Sequence, residues 1–302
     1  EDLCVTIEEL QTIRQHSETE LDRIIKRMDG WITGIQLALD SKETSSGELP
    51  DKDIPQERFN LLVQADFERF SPDRRIFLLQ TALAETVESR LCRDVFGQTG
   101  WMAHLQALEK GHFYLHREEQ AYRYHDLLRG FLQDYAKTNY PHQFKQWHQQ
   151  LADWFKQEDQ PGAVIWHSLQ AGDIEQARDY ADDIAKEWHI TGFWSGLLQI
   201  RKWLGNHAGS RLQLMCGMIL TDWNRLEESN QLLQDAYQVF VAQEDGLNQC
   251  RALLQLASNR FAHGDYQTVT TLAERVIHHV ASSPALEAWA GRMLAWTKME
   301  LG

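Results

Sequence analysis

From about residue 141 to its end the chain offers a single period, and that period is helical. Trp147, Leu151, Trp154 and Phe155 recur at i, i+4, i+7 and i+8 and build one apolar stripe on a helix. Three later helices end in short polar turns, AGD (171–173), TDW (221–223) and HGD (263–265). Each turn leads into a helix with small residues on its inner face: Ala177 and Ala181, then Ala236, then Ala273. The closing residues of these turns, Asp173, Trp223 and Asp265, lie 50 and then 42 positions apart. Tetratricopeptide pairs repeat at about 34 residues, so the units are of that type but irregular. A helix with one apolar stripe must bury it against a neighbour, and a row of such helices has only each other to pack on. Residues 139–302 are therefore expected to form a tetratricopeptide-like superhelix.

Upstream the pattern is more varied. Thr6 with Glu9 and Ser17 with Glu20 fit the reciprocal capping box that opens a helix. The second is followed by Leu21, Ile24, Ile25 and Met28 at helical spacing, and residues 31–39 add a further short helix. Residues 41–55 turn polar and rich in turn formers, as a linker does. Helices are expected at about 57–69, 72–83, 88–96 and 99–110, the second with Ser71 as its cap and Pro72 in its first position. Then the period shortens. Residues 113–116 and 121–124 are aromatic-rich runs separated by REEQ, a hairpin pattern, and residues 126–137 return to helix. Helices followed by a two-stranded wing define a winged-helix domain. The expected architecture is mainly α: a small helical subdomain (1–45), a linker (46–57), a winged helix with a short β-hairpin (58–138), and the superhelix (139–302).

Charge and motif content narrow the function. The 44 acidic and 30 basic side chains give a formal charge of −14, which makes the chain as a whole a poor partner for phosphate backbones. No phosphate loop, dinucleotide fingerprint, zinc-protease helix, nucleophile elbow or calcium loop occurs, so this stretch by itself is not expected to be an enzyme. Four cysteines (Cys4, Cys92, Cys216, Cys250) show no paired spacing and are expected to be buried, reduced and apolar in role. His112 with His116, and His278 beside His279, lack the further ligands a metal needs, and no metal is expected. No run approaches the ~20 apolar residues of a membrane span, and no leader is visible, so a cytoplasmic protein with no membrane partner is expected. The chain opens on Glu1 within a structured pattern, which reads as a middle piece of something longer.

Three segments, FLLQTALAE (77–85), LEKGHFYLH (108–116) and AYRYHDLLRGFL (121–132), together resemble the winged-helix segment of the large ATP-dependent LuxR-type transcription regulators, which are STAND-type NTPases. In that family a histidine followed by aspartate at the winged-helix edge reaches the β-phosphate of bound ADP. The resemblance places His125 and Asp126 in that role, with Asp126 capping the following helix. Gly34 to Leu39 (GIQLAL) resembles the end of the family's helical subdomain, usually GLPLAL. Gly34 and Gln36 would then lie beside the nucleotide base, with Gln36 standing where a proline is usual. The resemblance further implies ATP or ADP as the cofactor of the intact protein, with none expected in this piece, which lacks the phosphate loop. It also implies slow signalling ATPase activity, self-association in the activated state, and promoter contact only through a missing C-terminal helix-turn-helix.

The superhelix would be the sensor. Its tryptophans suit stacking against a small-molecule inducer, possibly a sugar, and Trp194, Trp203 and Trp223 are the expected contacts. Two other readings are open. The helix at 101–110 could enter a DNA groove, though Lys110 and His104 stand there against Glu109. Alternatively the solenoid could be an interaction scaffold that grips a regulatory protein or peptide.

Overall fold

A computed structural model describes residues 60, 63–64, 67–97, 100–110, 115–118, 121–279 and 283–302. The readings at residues 1–45 and the linker lie outside the described residues. The chain divides into two compact units, one ending at Phe144 and one beginning at Lys145, somewhat beyond the boundary at 138 expected from sequence. Tyr140 and Phe144 belong to the first unit, where Tyr140 packs on Tyr135.

The first unit is built on α1 (Pro72–Thr81), α2 (Ser89–Asp94), α3 (Trp101–Lys110), β1 (Leu115–Glu118), β2 (Ala121–Tyr124) and α4 (Asp126–Asn139). Ser71 caps α1 by accepting from the Arg74 amide at 3.4 Å, Pro72 supplies a preset φ, and Asp73 meets the positive end of the helix dipole. The helix buries Phe77, Leu78 and Leu79 and packs on α3 and α4. Phe67 sits edge-on to Phe131 and Tyr135 of α4, at 5.9 and 5.0 Å between ring centres.

The wing is an antiparallel pair in the register Leu115↔Tyr124, His116↔Arg123, Arg117↔Tyr122, Glu118↔Ala121. Of the expected strand 113–116, Leu115 and His116 fall on β1, and 113 and 114 lie outside the described residues. Arg117 and Glu118, assigned above to the turn, belong to the strand, where the register pairs them with Tyr122 and Ala121. Val87 adds a third rung on the other side of β2, exchanging both backbone bonds with Tyr122 at 2.7 and 3.0 Å.

The second unit contains the rest of α5 (Pro141–Gln157), then α6 (Pro161–Ala171), α7 (Ile174–Ile190), α8 (Trp194–Leu204), a 3-10 turn (Gly205–His207), α9 (Ser210–Asp222), α10 (Leu226–Ala242), α11 (Gly246–Ala262), α12 (Tyr266–Ile277) and α13 (Pro284–Leu301). One turn is used six times. A residue with positive φ (Asp159, Gly172, Gly192, Asn224, Glu244 or Gly264) ends a helix, and the next residue is the cap of the following one. The amide of that next residue reaches back five positions, as in Asp173 to the Ser168 carbonyl (2.9 Å), Arg225 to Leu220 (2.8 Å) and Asp265 to Arg260 (3.0 Å). This is a Schellman closure fused to an N-cap. Asp173, Asp245 and Asp265 complete the cap with their carboxylates, accepting from Gln176, Asn248 and Thr268.

Two of the three expected turns, at AGD and HGD, fall on these joints. The third is shifted: Thr221 and Asp222 still belong to α9, and the turn is made by Asn224 and Arg225. Between Asp173 and Arg225 the extra helix α8 is inserted, which is why the period is irregular. The small residues Ala177, Ala181, Ala236 and Ala273 are all fully buried, as expected. Helices α7, α9, α11 and α13 are successive neighbours along one layer, while α10 and α12 pack between them. Glu244 adopts the left-handed conformation without being glycine or asparagine. Glu244→Gly is expected to raise stability by about 0.5–1 kcal/mol, seen as a higher urea midpoint; a lower midpoint would contradict this account of the turn.

Candidate functional site

Two places are candidates for a functional site, one in each unit. In the first, β2 delivers Tyr124 into the core, where its hydroxyl lies 2.7 Å from Thr81 Oγ1 of α1, and burial pushes its phenol pKa up. The next residue, His125, is 8% exposed and is itself the cap of α4: its Nδ1 accepts from the Leu127 amide at 3.3 Å. The sequence reading gave that capping role to Asp126, which instead occupies the first helical position, with its charge at the positive end of the dipole. An accepting Nδ1 carries no proton, so the proton of the neutral ring sits on Nε2. The joint is braced from α4, where Arg129 Nε and Gln133 Nε2 both donate to the Ala82 carbonyl, at 3.3 and 2.8 Å. Burial lowers the Arg129 pKa. Gly34 and Gln36 lie outside the described residues.

The helix weighed as a DNA reader, α3, turns His104 inward. Its ring stacks on Phe77 at 5.0 Å, and burial followed by the nearby Arg74 lowers its pKa, so it adds no positive charge to an outer face.

In the second unit a cavity of about 450 Å³ opens along the layer of α7, α9, α11 and α13. Helical spacing brings its wall together: 182, 186 and 189 on α7, 211, 215 and 218 on α9, 248 and 251 on α11, 286 and 289 on α13. Its polar groups come from Asp182, Asp183, Lys186, Arg211 and Arg251, and its apolar surface from residues such as Met215, Met218 and Trp289. Asp182 caps α9, accepting from the amides of Leu212 (2.9 Å) and Arg211 (3.3 Å). Burial nevertheless raises its pKa. His189 stacks on Trp194, and its backbone carbonyl accepts from the indole nitrogen at 2.9 Å. The buried His189 Nε2 has no hydrogen-bond partner, and burial lowers the ring's pKa.

The three tryptophans singled out from sequence lie elsewhere. Trp194 supports His189 from α8, Trp203 packs on Trp166 at 5.1 Å, and Trp223 is a half-exposed residue at the end of α9. None of them lines the cavity. Sequence reasoning missed Trp289 and the charged wall; the available signal was Asp182, Lys186, His189 and Ile190 at i, i+4, i+7 and i+8, a face of α7 that mixes charge with apolar bulk. Cys92, Cys216 and Cys250 are buried thiols, with Cys92 and Cys216 pushed up to about 12 by burial. Among the described residues no group of His, Cys, Asp and Glu is placed to hold a metal ion, and no helix is long and apolar enough to cross a membrane.

Residues 64–144 match the MalT winged helix domain family, the stretch that contains Thr81, Tyr124 and His125. Over 237 residues the sequence is 24% identical to the HTH-type transcriptional regulator MalT of Cronobacter sakazakii, covering 74% of this chain and 26% of that protein. The chain is MalT-like. The same regulator from Yersinia enterocolitica is 25% identical over 166 residues, covering 52% of this chain and 18% of the relative. The MalT-like chain thus spans about a quarter or less of the curated relatives it matches. Its fold is similar to the crystal structure of a Signal Transduction ATPase with Numerous Domains (STAND) protein with a tetratricopeptide repeat sensor from Pyrococcus horikoshii. The TM-score is 0.55 at 14% identity, over 98% of this chain and 44% of the other. The mainly α architecture, a winged helix at residues 64–144 followed by a tetratricopeptide-like superhelix, agrees with the family match and with the shared fold.

Proposed function

We propose that this MalT-like chain is the regulatory and effector-sensing segment of an ATP-dependent transcriptional activator, working in the cytoplasm and without catalytic activity of its own. The superhelix takes a small-molecule inducer, and the winged helix relays its presence to a nucleotide site. The observation that carries the sensor reading is the cavity between α7, α9, α11 and α13, whose volume falls in the range of small-molecule sites and whose apolar wall holds a few convergent polar groups. The relay reading rests on His125, which lies within the stretch matching the MalT winged helix domain and caps α4 through Nδ1, at the position from which an imidazole would meet an anion such as the β-phosphate of ADP. Inducer and ATP would favour an open, self-associating form that binds promoter DNA through a further domain. Each ligand shifts the balance only as far as it binds the two forms with different affinity.

A thermal-shift screen of the chain against sugars, organic acids and other common metabolites tests the sensor. A saturable rise in melting temperature is expected for at least one compound, and Met218→Trp, which fills the cavity, should abolish it. Silence across the panel, together with co-purification of one protein partner, would favour the scaffold reading. For the relay, His125→Asp keeps a good helix cap but replaces the donor with an anion that repels phosphate. In the full-length regulator it should raise inducer-independent transcription on the order of 5-fold, the low end of allosteric coupling. Unchanged basal transcription from a stable protein would count against it.

A further inference from the structure

We infer that the superhelix cavity takes a small organic anion, a carboxylate or phosphate ester carried on an apolar or aromatic body; this rests on the cavity being the sensor site. The argument is a charge count by partner. Asp182 is spent on the first amides of α9, and Asp183 pairs with Arg211 at 3.7 Å at the exposed mouth. Lys186 has no acidic partner among the described residues, and Arg251 meets only a neutral one, donating to Asn248 Oδ1 at 2.8 Å while Asn248 in turn donates to Asp245. Two cations without carboxylate partners therefore line one cavity in a chain whose formal charge is −14. A neutral occupant would cover part of the half-buried Arg251 and return no charge, which is costly; an anion would compensate Arg251 and attract the exposed Lys186 as well. The apolar part of the lining, Leu214, Met215, Met218 and Trp289, asks for an apolar partner, and the polarisable sulfurs and indole suit an aromatic or branched body.

The test uses the full 302-residue chain and three anionic probes, indole-3-acetate, octanoate and phenyl phosphate. Their neutral counterparts are indole-3-acetamide, octanamide and phenol, with unmodified hexose oligosaccharides alongside. At least one anion should raise the melting temperature saturably and bind about 10-fold or more tightly than its neutral counterpart. Arg251→Gln and the exposed Lys186→Gln should each weaken that binding by about 10-fold without moving the melting temperature of the unliganded chain. The inference is overturned if no anion stabilises the chain, if the neutral compounds bind as well, or if both variants bind unchanged. A neutral oligosaccharide whose effect is lost in Met218→Trp would overturn the anion and keep the sensor; no response to any compound would overturn both.

Discussion

Lowering the pH from 7.5 to 5.0 is expected to cost the superhelical unit about 2 kcal/mol through one buried histidine. His148 on α5 and His167 on α6 are 3% and 4% exposed, and their Nδ1 atoms are 2.8 Å apart, so one ring donates and the other accepts. Phe155 stacks on His167 at 5.2 Å between ring centres with the planes 10° apart, sealing the pair from that side. A proton added to the accepting nitrogen destroys the bond and puts a cation in an apolar setting. Burial accordingly pushes His148 down to about 4, against 6.5 for an open histidine. The folded value lies below the unfolded one, so as pH falls the unfolded chain takes up the proton first. Stability from this group is complete above about pH 6.5, falls between about 6.5 and 4, and levels off below. His148→Gln retains a hydrogen-bonding partner for His167 and does not titrate. Urea midpoints at the two pH values should differ less in the variant, by about 2 kcal/mol of stability. An equal acid loss in both proteins would remove His148 as the cause.

How far such features could be read from the chain depends on whether local chemistry decides them. The winged helix was legible because Ser71 and Pro72 announce α1 and because residues 121–132 change from strand to helix period at His125. The pairing of Arg117 and Glu118 was not, since they look like turn residues although the register places them opposite Tyr122 and Ala121. Among the six superhelix joints, those with Gly172 and Gly264 were visible, and Gly192 could have been. Asn224 and Asp159 make the same turn with side chains that tolerate a positive φ but are common in many other settings, and Glu244 makes it with one that ordinarily avoids it, so none of the three announces the joint. The cavity was least legible. Its wall is drawn from four helices far apart in sequence, and Lys186 or Arg251 taken singly reads as a solvated face. Tryptophans were chosen by residue type, yet which layer a residue occupies decides whether it lines this cavity; Trp289 is on that layer and Trp203, on α8, is not.

Asn259→Leu should destabilise the superhelix by about 3 kcal/mol, more than any other substitution considered. Asn259 on α11 is fully buried, and its amide nitrogen donates to Ser229 Oγ and to Asn230 Oδ1 on α10, both at 2.9 Å. Its carbonyl oxygen lies 2.7 Å from Thr221 Oγ1 at the end of α9. Three helices therefore meet on one side chain. The same knot holds the Gly217 carbonyl, which accepts from Ser229 Oγ at 2.8 Å at a place where α9 and α10 approach so closely that a Cβ on Gly217 would run into Leu233. Leucine has nearly the right volume, so no large cavity forms and the loss is that of the hydrogen bonds. Three bonds disappear: the buried Ser229 hydroxyl and the partly buried Thr221 and Asn230 side chains lose the amide that joins them, although the two hydroxyls keep their own contact at 2.9 Å. A urea titration showing a loss below about 1 kcal/mol would mean that the hydroxyls and Asn230 find each other once the amide is gone. The consequence reaches the cavity, because α9 contributes Met215 and Met218 to its wall and α11 contributes Asn248 and Arg251. A substitution that loosens the α9 to α11 spacing should weaken ligand binding without touching a ligand-contacting atom, and Asn259→Leu should therefore lower affinity as well as stability.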